Sequence, residues 1–302
     1  MKIGVMIGGN NTDEVIEKAL DIEARGFDSL WMGNLAGYRL ETLHAMALMA
    51  HETSRIQLGT AIIPIHLHHP LALAHQAISI QETANGRFTL GIGLSHDFVV
   101  NDWLGLSYER PVAQMREYVT ILKPLLDGAA ATSQGEFFSA NAKLNGPTAK
   151  PVPLLVAAMG AQMLKVTGSH ADGTVTFLTG LNTLESHIIP RIRAAAASAG
   201  RPQPQVVVAG LPIALVDDRA QALNVIAKQW SVYGGFHNYR ANFDREGVAG
   251  AANLAIVGDK QMLKTTLRRL ADLGVTEFIA SPVAVEDDTV ERTLDFLATQ
   301  LS

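Results

Sequence analysis

The sequence predicts an α/β protein of the (β/α)8 barrel class, the TIM barrel. The first observation is a pattern that occurs four times, in which a helical segment ends at a glycine and an apolar strand follows at once. The four copies are ARGFDSLWM (24–32), ANGRFTLGIG (84–93), HADGTVTFL (170–178) and ADLGVTEFIA (271–280). Regular alternation of helix and strand favours a parallel sheet. We expect the glycines to be left-handed residues that end helices; they are Gly26, Gly86, Gly173 and Gly274.

Size and composition agree with this class. The chain has 302 residues, 48% hydrophobic and 18% charged, and such a length is common for one barrel. We therefore expect a single domain over residues 1–302. The net charge of −5 gives no reason to expect nucleic acid or a membrane as a partner. The absence of cysteine excludes disulfides, thiolate metal sites and a cysteine nucleophile.

The first residues contain an apolar run too short for a signal peptide, and no segment is long enough to span a bilayer. We therefore expect a cytoplasmic protein with a small-molecule substrate.

Apolar periodicity places eight strands between helices. The predicted strands cover 2–7, 29–32, 56–64, 87–94, 153–158, 173–178, 205–216 and 275–280. The predicted helices cover 11–25, 40–53, 69–84, 111–126, 218–230, 259–272 and 290–301, and another begins near residue 161. The helix after Pro111 is the clearest, because Val112, Met115 and Val119 recur at intervals of three and four residues. His69 and Pro70 begin another, since proline is tolerated in a first helical turn.

Three connections exceed the usual loop length and are predicted as loop insertions at 95–110, 128–150 and 231–258. The last is rich in glycine and aromatic residues, which is typical of a lid, although ordinary surface packing or a subunit contact would give the same composition. The aromatic residues of these loops either line a pocket or pack against the barrel or a second subunit. They are Trp103, Tyr108, Tyr233, Phe236 and Tyr239.

Two strand ends are predicted to share one mouth of the barrel. In the β–α–β unit of residues 57–96, the carboxyl ends at 61–64 and 93–96 open on the same face, where barrels of this kind carry their chemistry. Glycines occur in both strands, at positions 59, 91 and 93; they either let a flat ligand approach or relieve crowding. His96 follows the second strand, as a neutral imidazole that donates a proton or as a structural loop histidine.

A second candidate site lies where the predicted strand at 153–158 runs into a helix. Met159 and Gly160 precede a helix that begins near Ala161. The first N–H groups of such a helix are free to bind a phosphate, and the helix dipole favours negative charge there. Gly160 would let the phosphate come close.

Other chemistries find less support. Gly91-Ile-Gly93 lacks the third glycine of a dinucleotide fingerprint, and a serine triad has no nucleophile elbow. A metal-dependent hydrolase would need further ligands at other strand ends, and strand one ends in Gly8-Gly9-Asn10. We therefore predict no metal and interpret the clustered histidines as loop and capping residues; they are His66, His68, His69 and His75.

Three stretches together resemble a known superfamily. They are LGTAIIP…HHPLALAHQAISIQETANGRFTLGIGLSH, VPLLVAAMGAQMLKVTGSHADGTVT and AIVGD…LRRLADLGVTEFI, and in this order they are similar to luciferase-like monooxygenases, in particular to the coenzyme F420-dependent oxidoreductases. The resemblance covers nearly the whole chain. It implies a (β/α)8 barrel with a planar cofactor ring across its strand ends, F420 or, alternatively, FMN. It also implies a homodimer.

The resemblance implies roles for individual residues. A non-proline cis peptide would join Ala61 to Ile62, and Ile62 would support the ring, near Gly93. The cofactor phosphate would lie at the start of the helix, with Thr179 nearby; the residues implied there are Met159, Gly160, Ala161, Gln162 and Met163.

The chain departs from its relatives at two places. An Asp-His pair after strand two is replaced by Asn34 and Leu35. Asn34 can still donate a hydrogen bond to a ring edge, but Leu35 cannot accept a proton. His96 stands where relatives often have a glutamate acid. The residues thus favour an F420-dependent reductase that transfers a hydride to a small activated C=C, C=N or C=O substrate. Alternatives are an FMN-dependent monooxygenase and a non-catalytic cofactor-binding protein.

Overall fold

The computed structural model describes residues 1–34, 40–145, 150–201 and 205–301. Its strands are, in chain order, β1 (Lys2–Met6), β2 (Ser29–Met32), β3 (Gln57–Thr60), β4 (Ile63–Pro64), β5 (Phe88–Gly93), β6 (Ala131–Gln134), β7 (Ser139–Ala142), β8 (Leu154–Ala157), β9 (Gly173–Phe177), β10 (Val206–Leu215), β11 (Ile256–Gly258) and β12 (Glu277–Pro282). The helices are α1 (Thr12–Ala24), α2 (Thr42–Glu52), α3 (Pro70–Thr83), α4 (Pro111–Leu126), α5 (Ala161–His170), α6 (Leu181–Thr183), α7 (Ile189–Ser198), α8 (Arg219–Gln229), α9 (His237–Glu246), α10 (Lys260–Leu273) and α11 (Thr289–Ala298).

Eight parallel strands close into a barrel. β1 pairs with β2 and β12, and the sheet runs on through β3, β5, β8 and β9 to β10, which returns to β12. The predicted (β/α)8 class is confirmed. The barrel is filled by an apolar cluster that consists of Trp31, Leu155, Val175, Val208 and Ile279. No helix in the described ranges is both long enough and apolar enough to cross a bilayer.

The third barrel strand is interrupted at the mouth. β3 ends at Thr60, and β4 continues beside β5, with Pro64 opposite Gly93. The peptide bond Ala61–Ile62, which lies between β3 and β4, is cis. The cis bond that the resemblance implies is therefore confirmed.

Three of the four junction glycines adopt the predicted conformation. Gly26, Gly86 and Gly274 have φ angles of 92°, 82° and 94°. The prediction is wrong for Gly173, which lies inside β9, opposite Val206 of β10. A Cβ there would meet the backbone carbonyl oxygen of Val206, so glycine is needed for a close approach of two strands and not for a turn.

The predicted loop insertions contain more regular structure than the sequence indicates. β6 and β7 form an antiparallel hairpin within 128–150. Glu117 of α4 holds its turn, because the carboxylate accepts the N–H groups of Phe137 at 2.7 Å and Phe138 at 3.0 Å. Residues 231–258 include α9 and β11, and residues 95–110 include one π-helical turn. Predicting plain loops was wrong at these positions, because their hydrophobic patterns are weak.

Candidate active site

The floor of the barrel mouth is apolar. Met6, Ala61, Ile62 and Ala157 are half-buried and pack on the cluster that fills the barrel. The N–H of Asn34 donates to the carbonyl of Ile62 at 3.1 Å, so the predicted residue Asn34 lies beside the cis bond. Leu35, the other residue at which the chain departs from its relatives, lies outside the described residues. A half-exposed apolar floor of this kind suits the face of a planar ring.

Protein side chains and backbone fill the space beside the three strand glycines. A Cβ on Gly59 would meet the indole of Trp31, and one on Gly91 the carbonyl oxygen of Thr60. At Gly93 a Cβ would lie 2.8 Å from Cδ1 of Ile62. Relief of crowding therefore explains these glycines, and Gly93 makes room for Ile62, which forms the floor. A contact between Gly93 and a cofactor stays a prediction.

The N-terminus of α5 is open. Its N-cap residue is Gly160, no side chain caps it, and a Cβ on Gly160 would meet nothing within 4 Å. Within the described ranges, the backbone N–H groups of Ala161, Gln162 and Met163 donate to no acceptor. Free donors at the positive end of a helix are an arrangement that suits an anion. The residues predicted to bind a phosphate thus come together around one open position.

Polar and charged side chains lie next to Met159, just before the open end of α5. His187 Nε2 lies 2.9 Å from the carbonyl oxygen of Met159. Burial lowers the pKa of His187, and the charges of Arg245 and Arg191 lower it further. The hydrogen bond to Met159 opposes this shift. Arg245 also donates to Oδ1 of Asn242 at 3.0 Å, so one guanidinium group lies beside a residue that contacts Met159.

Aromatic rings surround His96. Its imidazole stacks on Phe236, with ring centroids 3.8 Å apart and planes 20° apart. Tyr233 and Tyr239 lie at 6.3 Å, and Phe98 at 6.0 Å. Burial lowers the pKa of His96, and the carboxylate of Asp97 opposes this. Among the described residues, neither ring nitrogen of His96 has a hydrogen-bond partner, so no described group occupies the edge of the imidazole.

Helix α9 joins His96 to the open end of α5. Its Tyr239 contacts His96, and three residues later Asn242 donates from Nδ2 to Sδ of Met159 at 2.9 Å and to the hydroxyl of Thr179 at 3.2 Å. Thr179 is 1% exposed and holds α9, so its predicted contact with a phosphate stays a prediction. The sequence interpretation missed Asn242. The spacing of Phe236, Tyr239, Asn242 and Phe243 is that of one helical face and was the available signal.

Three of the clustered histidines make hydrogen bonds within the fold. His69 caps α3, its Nδ1 accepting the N–H of Leu71 at 3.2 Å, as predicted. His66 Nε2 lies 2.9 Å from Oε1 of Gln114, and the carbonyl of His68 accepts the hydroxyl of Tyr118 at 3.0 Å. In the described part of the chain, no three His, Cys, Asp or Glu side chains are arranged to hold a metal ion.

Sequence comparison identifies relatives over most of the chain. Residues 1–288 match the luciferase-like monooxygenase family, so the resemblance inferred from the sequence is confirmed. A 5,10-methylenetetrahydromethanopterin reductase from Methanolobus tindarius is 24% identical over 289 residues, 86% of this chain and 88% of the relative. An F420-dependent glucose-6-phosphate dehydrogenase from Kineococcus radiotolerans is 28% identical over 219 residues, 68% of this chain and 65% of the relative.

Structural comparison shows the same fold in known structures. An F420-dependent secondary alcohol dehydrogenase in complex with an F420–acetone adduct superposes with a TM-score of 0.83 at 18% identity, covering 99% of this chain and 97% of that one. The oxygenating constituent of 3,6-diketocamphane monooxygenase from Pseudomonas putida, in complex with FMN, gives a TM-score of 0.80 at 15% identity, with coverage of 100% and 97%. At such identities the likeness concerns the fold.

Proposed function

Because the chain belongs to the luciferase-like monooxygenase family, we propose that it is an F420-dependent oxidoreductase. In this proposal it reduces a small, largely apolar substrate with an activated C=C, C=N or C=O bond. The observation that carries the proposal is the open, uncapped N-terminus of α5 at the mouth of the barrel. Sequence relatives named as F420-dependent enzymes support F420 as the cofactor.

The residues at the mouth fit both parts of such a cofactor. The floor of Met6, Ala61, Ile62 and Ala157 would support its planar ring. The N–H groups of Ala161, Gln162 and Met163 would bind its phosphate, since they have no acceptor of their own among the described residues. When bound and reduced, F420 supplies a hydride to one atom of the substrate double bond.

His96 would complete the reduction. One of its ring nitrogens donates a proton to the other atom of the double bond, so the substrate gains a hydride and a proton and becomes saturated at that bond. The neutral imidazole then takes up a proton from solvent. General acid catalysis of this kind contributes about 10²–10⁴-fold to a rate. The surrounding aromatic rings favour an apolar substrate, because a charged one would lose its hydration there.

Anaerobic titration of the protein with F420, followed by fluorescence, tests the proposal. We expect saturable binding at micromolar concentration, followed by oxidation of the reduced cofactor when an acceptor with an activated double bond is added. No binding at these concentrations would remove the proposal.

The alternative function is a monooxygenase that uses reduced FMN and oxygen. It is favoured by the FMN complex among the structural neighbours. Substrate-dependent oxygen consumption with reduced FMN, but not with reduced F420, would establish this alternative. A protein that binds F420 but turns over no acceptor, and that behaves the same when His96 is replaced, would instead be a non-catalytic relative.

The homodimer also belongs to this proposal, and the resemblance to the F420-dependent oxidoreductases supports it. Light scattering should give twice the chain mass of 32.4 kDa; the mass of one chain would contradict it.

A further inference from the structure

We propose that Phe236 is a positioning residue for His96: its ring stacks on one face of the imidazole and fixes the plane in which the free edge points. The proposal rests on the proposed function for its catalytic meaning, since it takes His96 as the proton donor. The orientation of His96 by Phe236 is argued from the stacking geometry alone.

The contact between Phe236 and His96 is the closest ring contact in the described part of the mouth. The two centroids are 3.8 Å apart and the planes 20° apart, so the rings lie face to face. Phe98 is also nearly parallel to His96, at 8°, but its centroid is 6.0 Å away. Phe236 therefore covers a face of the imidazole, whereas Phe98 lies to the side.

Because Phe236 covers a face of the His96 imidazole, the ring edge with its two nitrogens stays accessible. Neither nitrogen of the imidazole has a hydrogen-bond partner among the described residues, so no hydrogen bond from that part of the chain fixes the ring orientation. Rotation of His96 about its side-chain bonds is therefore limited by packing. Phe236 supplies the largest planar contact for that purpose, because Tyr233 and Tyr239 approach at 78° and 44°.

The position of Phe236 is itself defined. Phe236 is the N-cap residue of α9, and its carbonyl accepts the N–H of Arg240 at 2.9 Å. Further along the same helix, Asn242 is bound to Met159 and Thr179. The helix that lies against the open end of α5 thus also places the ring that orients His96. Helix α9 would therefore hold an anion bound at α5 and the imidazole of His96 at a fixed distance from each other.

Four variants separate stacking from simple packing. Phe236→Leu keeps an apolar side chain but removes the ring, and Phe236→Ala removes both. Phe236→Tyr keeps the ring and serves as the conservative rescue. Phe98→Leu is the matched control, because it removes a ring of the same cluster whose centroid is 6.0 Å from that of His96.

NMR of the cofactor-free protein gives a readout that does not depend on activity. The imidazole protons of His96, assigned by their absence in His96→Gln, should lie upfield because of the ring current of Phe236. This upfield shift should be lost in Phe236→Leu and Phe236→Ala and kept in Phe236→Tyr. It should change little in Phe98→Leu, since ring-current effects fall steeply with distance. An unchanged His96 spectrum in folded Phe236→Leu would overturn the proposal.

Kinetics with reduced F420 give the second readout. Phe236→Leu should lower kcat about tenfold and leave the KM for the cofactor unchanged, while Phe236→Tyr restores kcat. Loss of the stacking signal with an unchanged kcat would overturn the positioning role. If the wild-type protein binds no F420, the proposed function fails, and the NMR result still decides whether Phe236 orients His96.

Discussion

The two ends of the barrel differ in whether their hydrogen-bond donors have protein partners. At the amino ends of the strands, protein groups bind the backbone donors: Asp28 accepts the N–H of Ile3 at 2.8 Å, and Asp172 that of Leu154 at 2.9 Å. At the carboxyl ends, the first N–H groups of α5 and the edge of His96 have no partner among the described residues. Ala161 and Gln162 are exposed, so the donors at the start of α5 are accessible to a ligand, and they are the donors that the proposed cofactor would use.

The titratable side chains show the same difference. Inside the lower barrel, Glu277 accepts hydrogen bonds from Ser29 and from the indole Nε1 of Trp31, and burial raises its pKa. At the mouth, burial lowers the pKa of His96. The carboxyl group is fixed by two donors, whereas the imidazole keeps a free edge. The first arrangement supports the fold, and the second is the one that the proposed proton transfer requires.

The largest expected effect is at His96. Replacing it by glutamine should lower kcat for acceptor reduction about 100-fold, because glutamine fills a similar volume but donates no proton of comparable acidity. Steady-state kinetics with reduced F420 measures this. The affinity for F420 should change little, and an unchanged kcat would show that His96 is not the donor.

The anion site gives the next effect. Gly160→Asp would add a carboxylate beside the free N–H groups of α5, where it caps the helix and repels a phosphate. F420 affinity should fall about tenfold or more, which corresponds to about 1.4 kcal/mol, while the melting temperature stays equal or rises slightly. Gly160→Ser is the matched control, since it caps without charge. Equal affinities for the two variants would place the phosphate elsewhere.

The pH dependence of the rate comes third. As an acid, His96 must be protonated, and burial puts its pKa below the ordinary value of about 6.5. Acceptor reduction should therefore speed up as the pH falls through that lowered pKa. The other titratable groups that face the imidazole are Asp97, Tyr233 and Tyr239. Burial and the neighbouring Tyr233 raise the pKa of Tyr239, so the tyrosine stays neutral. A profile that survives in His96→Gln would assign the titration to another group.

The smallest effect concerns the lower barrel. The raised pKa of Glu277 means that its contribution to stability is present at low pH and is lost as the pH rises through that pKa. Glu277→Gln keeps an oxygen for Ser29 and Trp31 but carries no charge. The melting temperature of Glu277→Gln minus that of the wild type should rise by about 2 °C or more from pH 4 to pH 8. Glu52 is exposed, so Glu52→Gln should show no such trend. A melting-temperature difference that falls with rising pH for Glu277→Gln would contradict the account.

The sequence predicted the parts of the site that depend on local pattern. The strand that ends at Pro64, the cis bond after Ala61 and the glycine before α5 are all where the spacing or the resemblance placed them. The strand and the glycine follow from neighbours in the chain, whereas the cis bond was implied by the resemblance to the family.

The sequence did not predict what depends on distant contacts. The need for glycine at position 173 comes from the carbonyl of Val206 on another strand. The place of α9 over the mouth depends on Asn242 meeting Met159 and Thr179, which lie 83 and 63 residues away in the chain. A polar helix with few apolar residues gives little sign of such contacts, so residues 231–258 were predicted as a loop.

The most direct test of the central claim is which cofactor the protein retains. Purified protein is mixed anaerobically with F420 or with FMN, passed through a desalting column and examined by absorbance. The account predicts that F420 is retained by the wild type and less so by Gly160→Asp, with little FMN retained. Retention of FMN alone, unaffected by Gly160→Asp, would contradict both the cofactor and the phosphate site.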